Sequence, residues 1–381
     1  MKKIGTVLLI CVHSLVASAT GKFVEFREVS PKGGFTFGSI HQITEDKHGF
    51  IWFGSHHGLF RYNTQTIDKF VHIPFDDRSI PSNYVTSITK SDDGALWFAT
   101  DNGICRFNEA KENFERCTFF DSHKERLPDA VTQIIASDNH QMWILSDRKL
   151  LLADTEHFTF EWIKMSPQDN LVTFIYVDNH KRLWLKSTTG MIYWADKPYA
   201  SFQTFGNATN QPVQSMLFTK NKLWIGYESN GAECYDIYGS LVGRYGRNTP
   251  NGFDIKSDRV RKIFEDLEGR IWLATYNGIA VLDNGKTTLY NERNTRGMMH
   301  SSIYDIFMDS KKGIWVGTWS GTLSYANPYD NTFSHLNTQN GLSNNVVSTI
   351  AERNGIIWIG TEGGGIKFIQ SAYRANNQAL H

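Results

Sequence analysis

The stretch Ile263–Asp283, IFEDLEGRIWLATYNGIAVLD, reads as three short strands joined by two tight turns. Ile263–Glu265 is an apolar run that ends at the turn Asp266–Gly269, and Trp272 lies in a second run that ends at Tyr276–Gly278. Short apolar runs between Gly, Asn and Asp turns are typical of an antiparallel sheet. One such sheet cannot bury its faces alone, so a repeated copy predicts that sheets pack side by side.

The same pattern recurs along the chain, and each copy carries a tryptophan in its second strand. Successive tryptophans lie 40 to 48 residues apart. A buried tryptophan removes roughly 200 Å² from water, so we expect every one of them to be a core residue. They are Trp52, Trp97, Trp143, Trp184, Trp224, Trp272, Trp315 and Trp358.

A fourth short run follows most copies, so we name the strands of a repeat a, b, c and d. The chain begins on an isolated d-type run, Phe23–Val29, and its last repeat ends on a c-type run, Gly365–Ile369. Pairing these two runs would close a ring and remove open sheet edges. The sequence therefore predicts an all-β fold, a single β-propeller of eight four-stranded antiparallel blades closed by the N-terminal strand. Seven blades ending with the Trp315 repeat, plus one extra repeat, are the alternative.

The first nineteen residues have the pattern of a secretory signal peptide. Lys2 and Lys3 precede the apolar run Ile4–Val12, and Ala17–Ala19 supplies the small residues of a cleavage site. The apolar run is too short to span a bilayer. We therefore expect a signal peptide over 1–19, a propeller over 20–370 and a polar tail over 371–381, in a periplasmic or secreted protein that does not itself span the membrane.

The charge balance of the chain is neutral. Lys and Arg number 39, as do Asp and Glu, so nothing draws the protein toward nucleic acid.

The b–c turns differ from copy to copy, and they lie on the same face as the long d–a loops. Loops on a rigid scaffold are where binding groups concentrate, and exposed aromatic rings beside carboxylates and amides suit a sugar or a peptide. Solvated loops without a ligand are the alternative. The candidate ligand-binding residues on this face are His56, His57, Asp101, Arg148, Tyr227, Glu228, Tyr276, Trp319 and Glu362.

Neither a metal site nor a cofactor is predicted. His56 and His57 are adjacent in a turn, where side chains point apart, and no further ligand accompanies them at metal-binding spacing. Cys105 and Cys117 lie on strands c and d of the second repeat, where a disulfide across the hairpin and two unlinked buried thiols are both compatible with the sequence.

The repeat resembles that of the two-component regulator propeller family. The shared pattern is Asp-x-x-Gly-x-[Ile/Leu]-Trp-[aliphatic]-Gly-Thr-x-x-Gly-[Ile/Leu]-x-[Arg/Lys]-[Phe/Tyr], best matched by Asp46–Tyr62, Gly94–Phe107 and Gly355–Phe368. The resemblance covers residues 23–369. It implies a periplasmic sensory propeller of the kind found in hybrid histidine kinases and some diguanylate cyclases, which detects glycan fragments or other cues.

Three functions are compatible with this resemblance. The first is a sensor-type recognition module without its own output domain, which binds a small ligand, a glycan or a partner such as a transmembrane sensor kinase or cyclase. The second is a polysaccharide lyase or glycosidase, for which Glu228, Glu362 and His300 are available, although no catalytic motif joins them. The third is a protein-interaction scaffold or a fragment of a longer hybrid sensor.

Overall fold

The computed structural model describes residues 24–30, 36–165, 171–207, 211–249, 252–327, 338, 342–353 and 356–370. It divides into two compact units, Met1–Tyr329 and Asp330–His381, which are treated separately. Every regular element in the described residues is a β-strand, so the all-β prediction is confirmed. The predicted signal peptide and polar tail lie outside the described residues.

The first unit contains seven sheets among its described residues, and each follows the order a-b-c-d. Strand β1 (Arg27–Val29) precedes them. The first sheet is β2 (Ile40–Glu45), β3 (Ile51–Ser55), β4 (Gly58–Tyr62) and β5 (Ile67–Phe70); the second is β6 (Val85–Lys90), β7 (Leu96–Thr100), β8 (Gly103–Asn108) and β9 (Asn113–Cys117). The third is β10 (Val131–Ala136), β11 (Gln141–Ser146), β12 (Lys149–Asp154) and β13 (Thr159–Trp162); the fourth is β14 (Val172–Val177), β15 (Leu183–Ser187), β16 (Met191–Ala195) and β17 (Gln203–Asn207).

The later sheets repeat the pattern with two additions. The fifth is β18 (Val213–Thr219), β19 (Lys222–Tyr227), β20 (Ala232–Asp236) and β21 (Leu241–Gly246), with the short parallel strand β22 (Phe253–Asp254) beside β21. The sixth is β23 (Val260–Glu265), β24 (Ile271–Thr275), β25 (Gly278–Asp283) and β26 (Lys286–Tyr290). The seventh is β27 (Ile303–Met308), β28 (Ile314–Thr318) and β29 (Leu323–Ala326), completed by β1.

The N-terminal strand completes the seventh sheet. Arg27 lies opposite Tyr325 and Val29 opposite Leu323 in an antiparallel ladder. The prediction that this strand pairs with the last sheet of the chain is therefore wrong. The physical reason is that the first sheet packs against the seventh, which places the open edge of the seventh sheet beside the chain that leads into β2.

At most junctions, the side chain of the third residue of an a strand forms hydrogen bonds with the a strand of the next sheet. The side-chain amide of Gln42 donates to the carbonyl of Ile88 and accepts from its N–H at 2.7 and 2.8 Å. At the junction of the seventh and first sheets, the backbone N–H of Ile43 donates to the carboxylate of Asp305 at 2.7 Å. These contacts close the seven sheets of the first unit into a ring.

Close packing between sheets depends on small residues in the b strands. A Cβ atom added to Gly54 would lie 2.7 Å from the side chain of Val85 in the next sheet. The same contact closes the ring, because a Cβ atom on Gly317 of the seventh sheet would lie 2.5 Å from Ile40 of the first. The b strands are covered on both faces, which explains their nearly continuous apolar sequence.

In four repeats, the b-strand tryptophan forms a hydrogen bond to an aspartate of its own repeat. Each indole N–H donates to an aspartate six residues earlier, as from Trp184 to Asp178 at 2.8 Å. The other oxygen of Asp178 accepts the backbone N–H groups of His180 and Arg182 and so holds the a–b turn. The remaining Asp–Trp pairs of this kind are Asp46–Trp52, Asp266–Trp272 and Asp309–Trp315.

The second unit contains one three-stranded sheet in its described residues, β30 (Val347–Arg353), β31 (Ile356–Thr361) and β32 (Gly365–Gln370). The described residues thus contain the eight predicted sheets, of which seven close into a ring within the first unit and one belongs to the second unit. Trp358 is 42% exposed, whereas the b-strand tryptophans of the ring are at most 7% exposed. The expectation of a core role therefore does not hold for Trp358, whose sheet has three strands in the part of the chain that the structure describes.

Cys105 and Cys117 are free cysteines, so the disulfide alternative is wrong. Cys105 lies opposite Arg116, and Cys117 lies opposite Ile104. Because neighbouring residues of a strand point to opposite faces of the sheet, the two thiols lie on different faces.

The junction at Asp305 should be essential for stability. The Asp305→Ala substitution leaves the N–H of Ile43 without its acceptor and Lys262, whose ammonium lies 3.3 Å from the carboxylate, without its buried partner. We expect a loss of about 3–5 kcal/mol in the free energy of unfolding, measured by urea denaturation. Asp305→Asn, which keeps an acceptor for Ile43, should lose clearly less; an equal loss, or a negligible one for Asp305→Ala, would contradict this role.

The third sheet lacks the aspartate that its tryptophan needs. Ser137 occupies that position, and both its hydroxyl and the indole N–H of Trp143 are buried without a hydrogen-bond partner among the described residues. We expect Ser137→Asp to raise the free energy of unfolding by about 1 kcal/mol, because it supplies the missing acceptor. The reciprocal change Asp178→Ser should lower it by about 1–3 kcal/mol, and the idea fails if chemical denaturation shows neither shift.

Candidate functional site

Every a strand of the ring carries a β-bulge at its second residue. The first residue is always a buried Ile or Val, at most 7% exposed. A bulge re-aims a side chain locally, and here the bulge residues line one central cavity of about 1070 Å³. They are His41, Thr86, Thr132, Thr173, Gln214, Arg261 and Tyr304.

One side of the cavity mouth is an aromatic and histidine cluster. The ring of His56, from the first b–c turn, stacks on Tyr84 with centroids 4.4 Å apart. His41 lies edge-on to His56 at 4.2 Å and 5.2 Å from the ring of Tyr304. This cluster offers flat apolar surface beside imidazole nitrogens and phenol hydroxyls, which is the combination that ligand pockets use.

The other side of the mouth carries two arginines and one carboxylate. The guanidinium of Arg261 lies 3.9 Å from the ring centroid of Tyr304. Arg259 pairs with Glu228 at 3.4 Å, and the side-chain amide of Gln214 also donates to Glu228 at 3.2 Å. The guanidinium of Arg259 lies 5.6 Å from the ring of Tyr276. The mouth therefore presents cations and aromatic rings together.

Burial is the main influence on the pKa values of the two histidines at the mouth, His41 and His56. Burial, with repulsion from His56 and then Arg261, lowers the pKa of His41 to about 4. Burial also lowers the pKa of His56, with a smaller contribution from His57. Both imidazoles are therefore neutral near pH 7, and the two arginines supply the positive charge of the mouth.

The structure places several of the sequence-predicted site residues at this central cavity, which we call the channel. His56 and Glu228 line it, and Tyr276 contacts the guanidinium groups of Arg259 and Arg261. Asp101 and Arg148 line an adjacent cavity of about 480 Å³ that shares Thr86, Thr132 and Thr173 with the channel.

Four other predicted residues lie elsewhere. Tyr227 is fully buried and donates its hydroxyl hydrogen bond to Glu233 at 2.9 Å, so the expectation that it is free to bind a ligand is wrong. The ring of His57 packs beside Gly38. Trp319 is 57% exposed, and its described hydrogen bonds are made by its backbone. Glu362 belongs to the second unit.

The sequence analysis did not identify the bulge residues as candidate site residues. The available signal was a variable residue directly after a constant Ile or Val at the start of each a strand, as in Ile40-His41 and Val260-Arg261. A strict two-residue alternation would have assigned that variable residue to an ordinary sheet face.

The residues considered for catalysis are distributed over different places. Glu228 lines the channel and pairs with Arg259. His300 lines a separate cavity of about 300 Å³ beside Tyr276 and Glu292. Within the described ranges, no group of three or more His, Cys, Asp or Glu side chains is arranged to hold a metal ion.

A family model described as "Two component regulator propeller" matches residues 34–57, 79–102, 297–320 and 341–363. Four stretches of the chain thus match this repeat, which confirms the resemblance inferred from sequence. Comparison with curated protein sequences finds no match.

Solved structures share the fold. One, described as the extracellular domain of a hybrid two-component system, BT3049 of B. thetaiotaomicron, is 22% identical with a TM-score of 0.64 and covers 91% of this chain and 48% of that one. The extracellular domain of BT4673, described as a one-component system of the same organism, is 17% identical with a TM-score of 0.63, covering 92% and 48%. The chain therefore spans about half the length of these relatives. YCF48 bound to a D1 peptide is 11% identical, with a TM-score of 0.60 and coverage of 79% and 96%.

No helix in the described part of the chain has the length and apolar character needed to cross a membrane.

The buried His41 should make stability depend on pH. Its pKa is about 4 in the folded protein, against about 6.5 in the unfolded chain, so the unfolded state binds more protons between these values. The free energy of unfolding should therefore fall as the pH drops from about 6.5 toward 4. At pH 5, His41 should lower it by about 2 kcal/mol relative to pH 7.

The measurement compares urea denaturation at pH 7 and pH 5 for the parent protein and for His41→Gln, which removes this contribution. His123→Gln is the control, because the His123 side chain is 83% exposed. A pH dependence that is the same in His41→Gln and the parent protein would contradict the assignment.

Proposed function

We propose that the protein is a sensor-type recognition module that binds a ligand at the mouth of its central channel, outside the cytoplasm. The observation that carries this proposal is the contrast within each a strand. The first residue of the strand is a buried aliphatic side chain in every sheet of the ring, whereas the bulge residue that follows it differs in chemistry around the channel. A scaffold that keeps its packing constant and varies its channel surface is suited to recognition.

The chemistry of the mouth favours a small polar ligand with a flat apolar face. Tyr84 and Tyr304 supply aromatic surface, and the threonine, glutamine and arginine side chains supply hydrogen-bond donors and acceptors. Sugars combine such faces with hydroxyl groups, so a glycan fragment fits this mouth. A short peptide has related requirements, and YCF48, one of the similar solved structures, has a peptide bound.

The comparisons support a sensory role through the solved relatives that are described as extracellular domains of signalling systems. This chain spans about half of their length. The proposal therefore includes a second step, in which ligand binding is coupled to a transmembrane sensor kinase or cyclase. The ligand-binding step needs only the ring and can be tested directly.

The test is thermal denaturation of the purified protein with a panel of oligosaccharides and short peptides. A ligand at a hundred times its Kd should stabilise the folded state by about 2.7 kcal/mol. Tyr84→Ala should remove that stabilisation, because Tyr84 forms the aromatic surface of the mouth. Tyr238→Ala is the matched control, since Tyr238 is 88% exposed in the c–d turn of the fifth sheet, at the other end of the strands.

Three results would overturn the proposal. Stabilisation by no member of the panel would exclude the ligand classes named here, and equal stabilisation of Tyr84→Ala would place the binding site elsewhere. Turnover of a glycan that is lost in Glu228→Gln would show an enzyme instead.

A further inference from the structure

Arg261 is a buried cation without an acidic partner. It is 8% exposed, and its two described hydrogen bonds both come from Nη1, to the hydroxyl of Ser302 at 2.9 Å and the carbonyl of Ile303 at 3.2 Å. No carboxylate lies within ion-pair distance of it in the described residues, and its Nε and Nη2 atoms have no hydrogen-bond acceptor there. Burying a charge is costly unless it is paired, so this arrangement calls for an explanation.

The other charged groups near the channel are satisfied within the protein. Glu228, the carboxylate of the mouth, pairs with Arg259 and accepts a hydrogen bond from Gln214. Lys262, the next residue after Arg261, pairs with the buried Asp305. Arg259 and Lys262, which also line the cavity, thus each have an acidic partner, whereas Arg261 has none in the described residues.

The surroundings of Arg261 favour an anion from outside the protein. Tyr304 lies against the guanidinium and Tyr276 lies 5.9 Å from it, so two aromatic rings limit its contact with water. A guanidinium with free Nε and Nη2 atoms presents two parallel N–H groups, the geometry that matches a carboxylate, a sulfate or a phosphate. A cationic ligand would be repelled at the same place.

We propose that the ligand of the channel carries an anionic oxygen group, a carboxylate or a sulfate, which pairs with Arg261 while the rest of the ligand packs on the aromatic rings of the mouth. This inference rests on the proposed function and specifies the chemistry of the ligand. The neutral side chains of the other bulge residues then contact the uncharged part of the ligand.

The experiment compares three probes that share a pyranose ring: glucuronate, glucose 6-sulfate and glucose. Binding is measured by titration calorimetry at constant ionic strength. The parent protein should bind at least one of the two anionic probes about tenfold or more tightly than glucose, because charge-assisted hydrogen bonds discriminate by at least this factor. Selective binding of glucuronate identifies a carboxylate ligand, and selective binding of glucose 6-sulfate identifies a sulfate ester.

Arg261→Gln should abolish the preference for the anionic probe. Lys286→Gln is the matched control, because it removes one positive charge from an exposed residue of the same sheet, at the turn far from the mouth. Arg261→Lys, which keeps the charge and loses the paired N–H groups, should show a weakened preference, and it decides the question if Arg261→Gln does not fold. The inference is overturned if the parent protein has no anion preference, or if the preference survives in a folded Arg261→Gln protein.

These failures can be told apart from failure of the proposed function. If a neutral oligosaccharide or peptide binds in a manner that depends on Tyr84 while neither anionic probe is preferred, the recognition site stands and the anionic ligand is excluded. If the broad panel also fails to bind, both proposals fall.

Discussion

The ring depends on a buried carboxylate that joins two distant parts of the chain. Six of the junctions between sheets connect repeats that are already consecutive, whereas the bond between Ile43 and Asp305 spans 262 positions in the sequence. Bringing such distant segments together costs conformational entropy, which only a specific set of contacts can offset. Asp305 supplies one of these contacts, and the packing of Ile40 against Gly317 and the strand β1 on the edge of the seventh sheet supply others.

The bulge in each a strand separates two tasks that would otherwise compete for the same residues. The aliphatic residue before the bulge packs between sheets, and the residue after it bonds to the next a strand at most junctions, as Gln42 and Ser87 do. The side chain of the bulge residue lines the channel, and at two junctions it also donates to the next a strand, from Thr86 to Val131 and from Arg261 to Ile303. Arg261 and Tyr304, the recognition groups proposed above, therefore lie on strands of the ring and not on its loops.

Much of the fold follows from the sequence, because its signals are local. The a–b turns and the tryptophan strands formed where the repeats predicted them. The partner of the N-terminal strand did not follow, because any repeat that lacks a d strand offers it an equivalent edge, and the choice depends on how many sheets complete a circle. The register of Cys105 and Cys117 was left open for a similar reason, since a shift of one residue across a hairpin moves a side chain to the other face.

The candidate site was only partly accessible from the sequence. Of the residues that the b–c turns indicated, His56 and Glu228 line the channel. Tyr227 was misplaced because it ends a strand whose side chains are covered on both faces, and its hydroxyl forms a hydrogen bond with Glu233.

The position of the bulge residues has a further consequence for the evolution of such repeats. A substitution at His41 or Gln214 changes what the channel presents and leaves the aliphatic contacts on either side unchanged, so duplicated genes built on this repeat can acquire new specificities through single changes without first rebuilding a core.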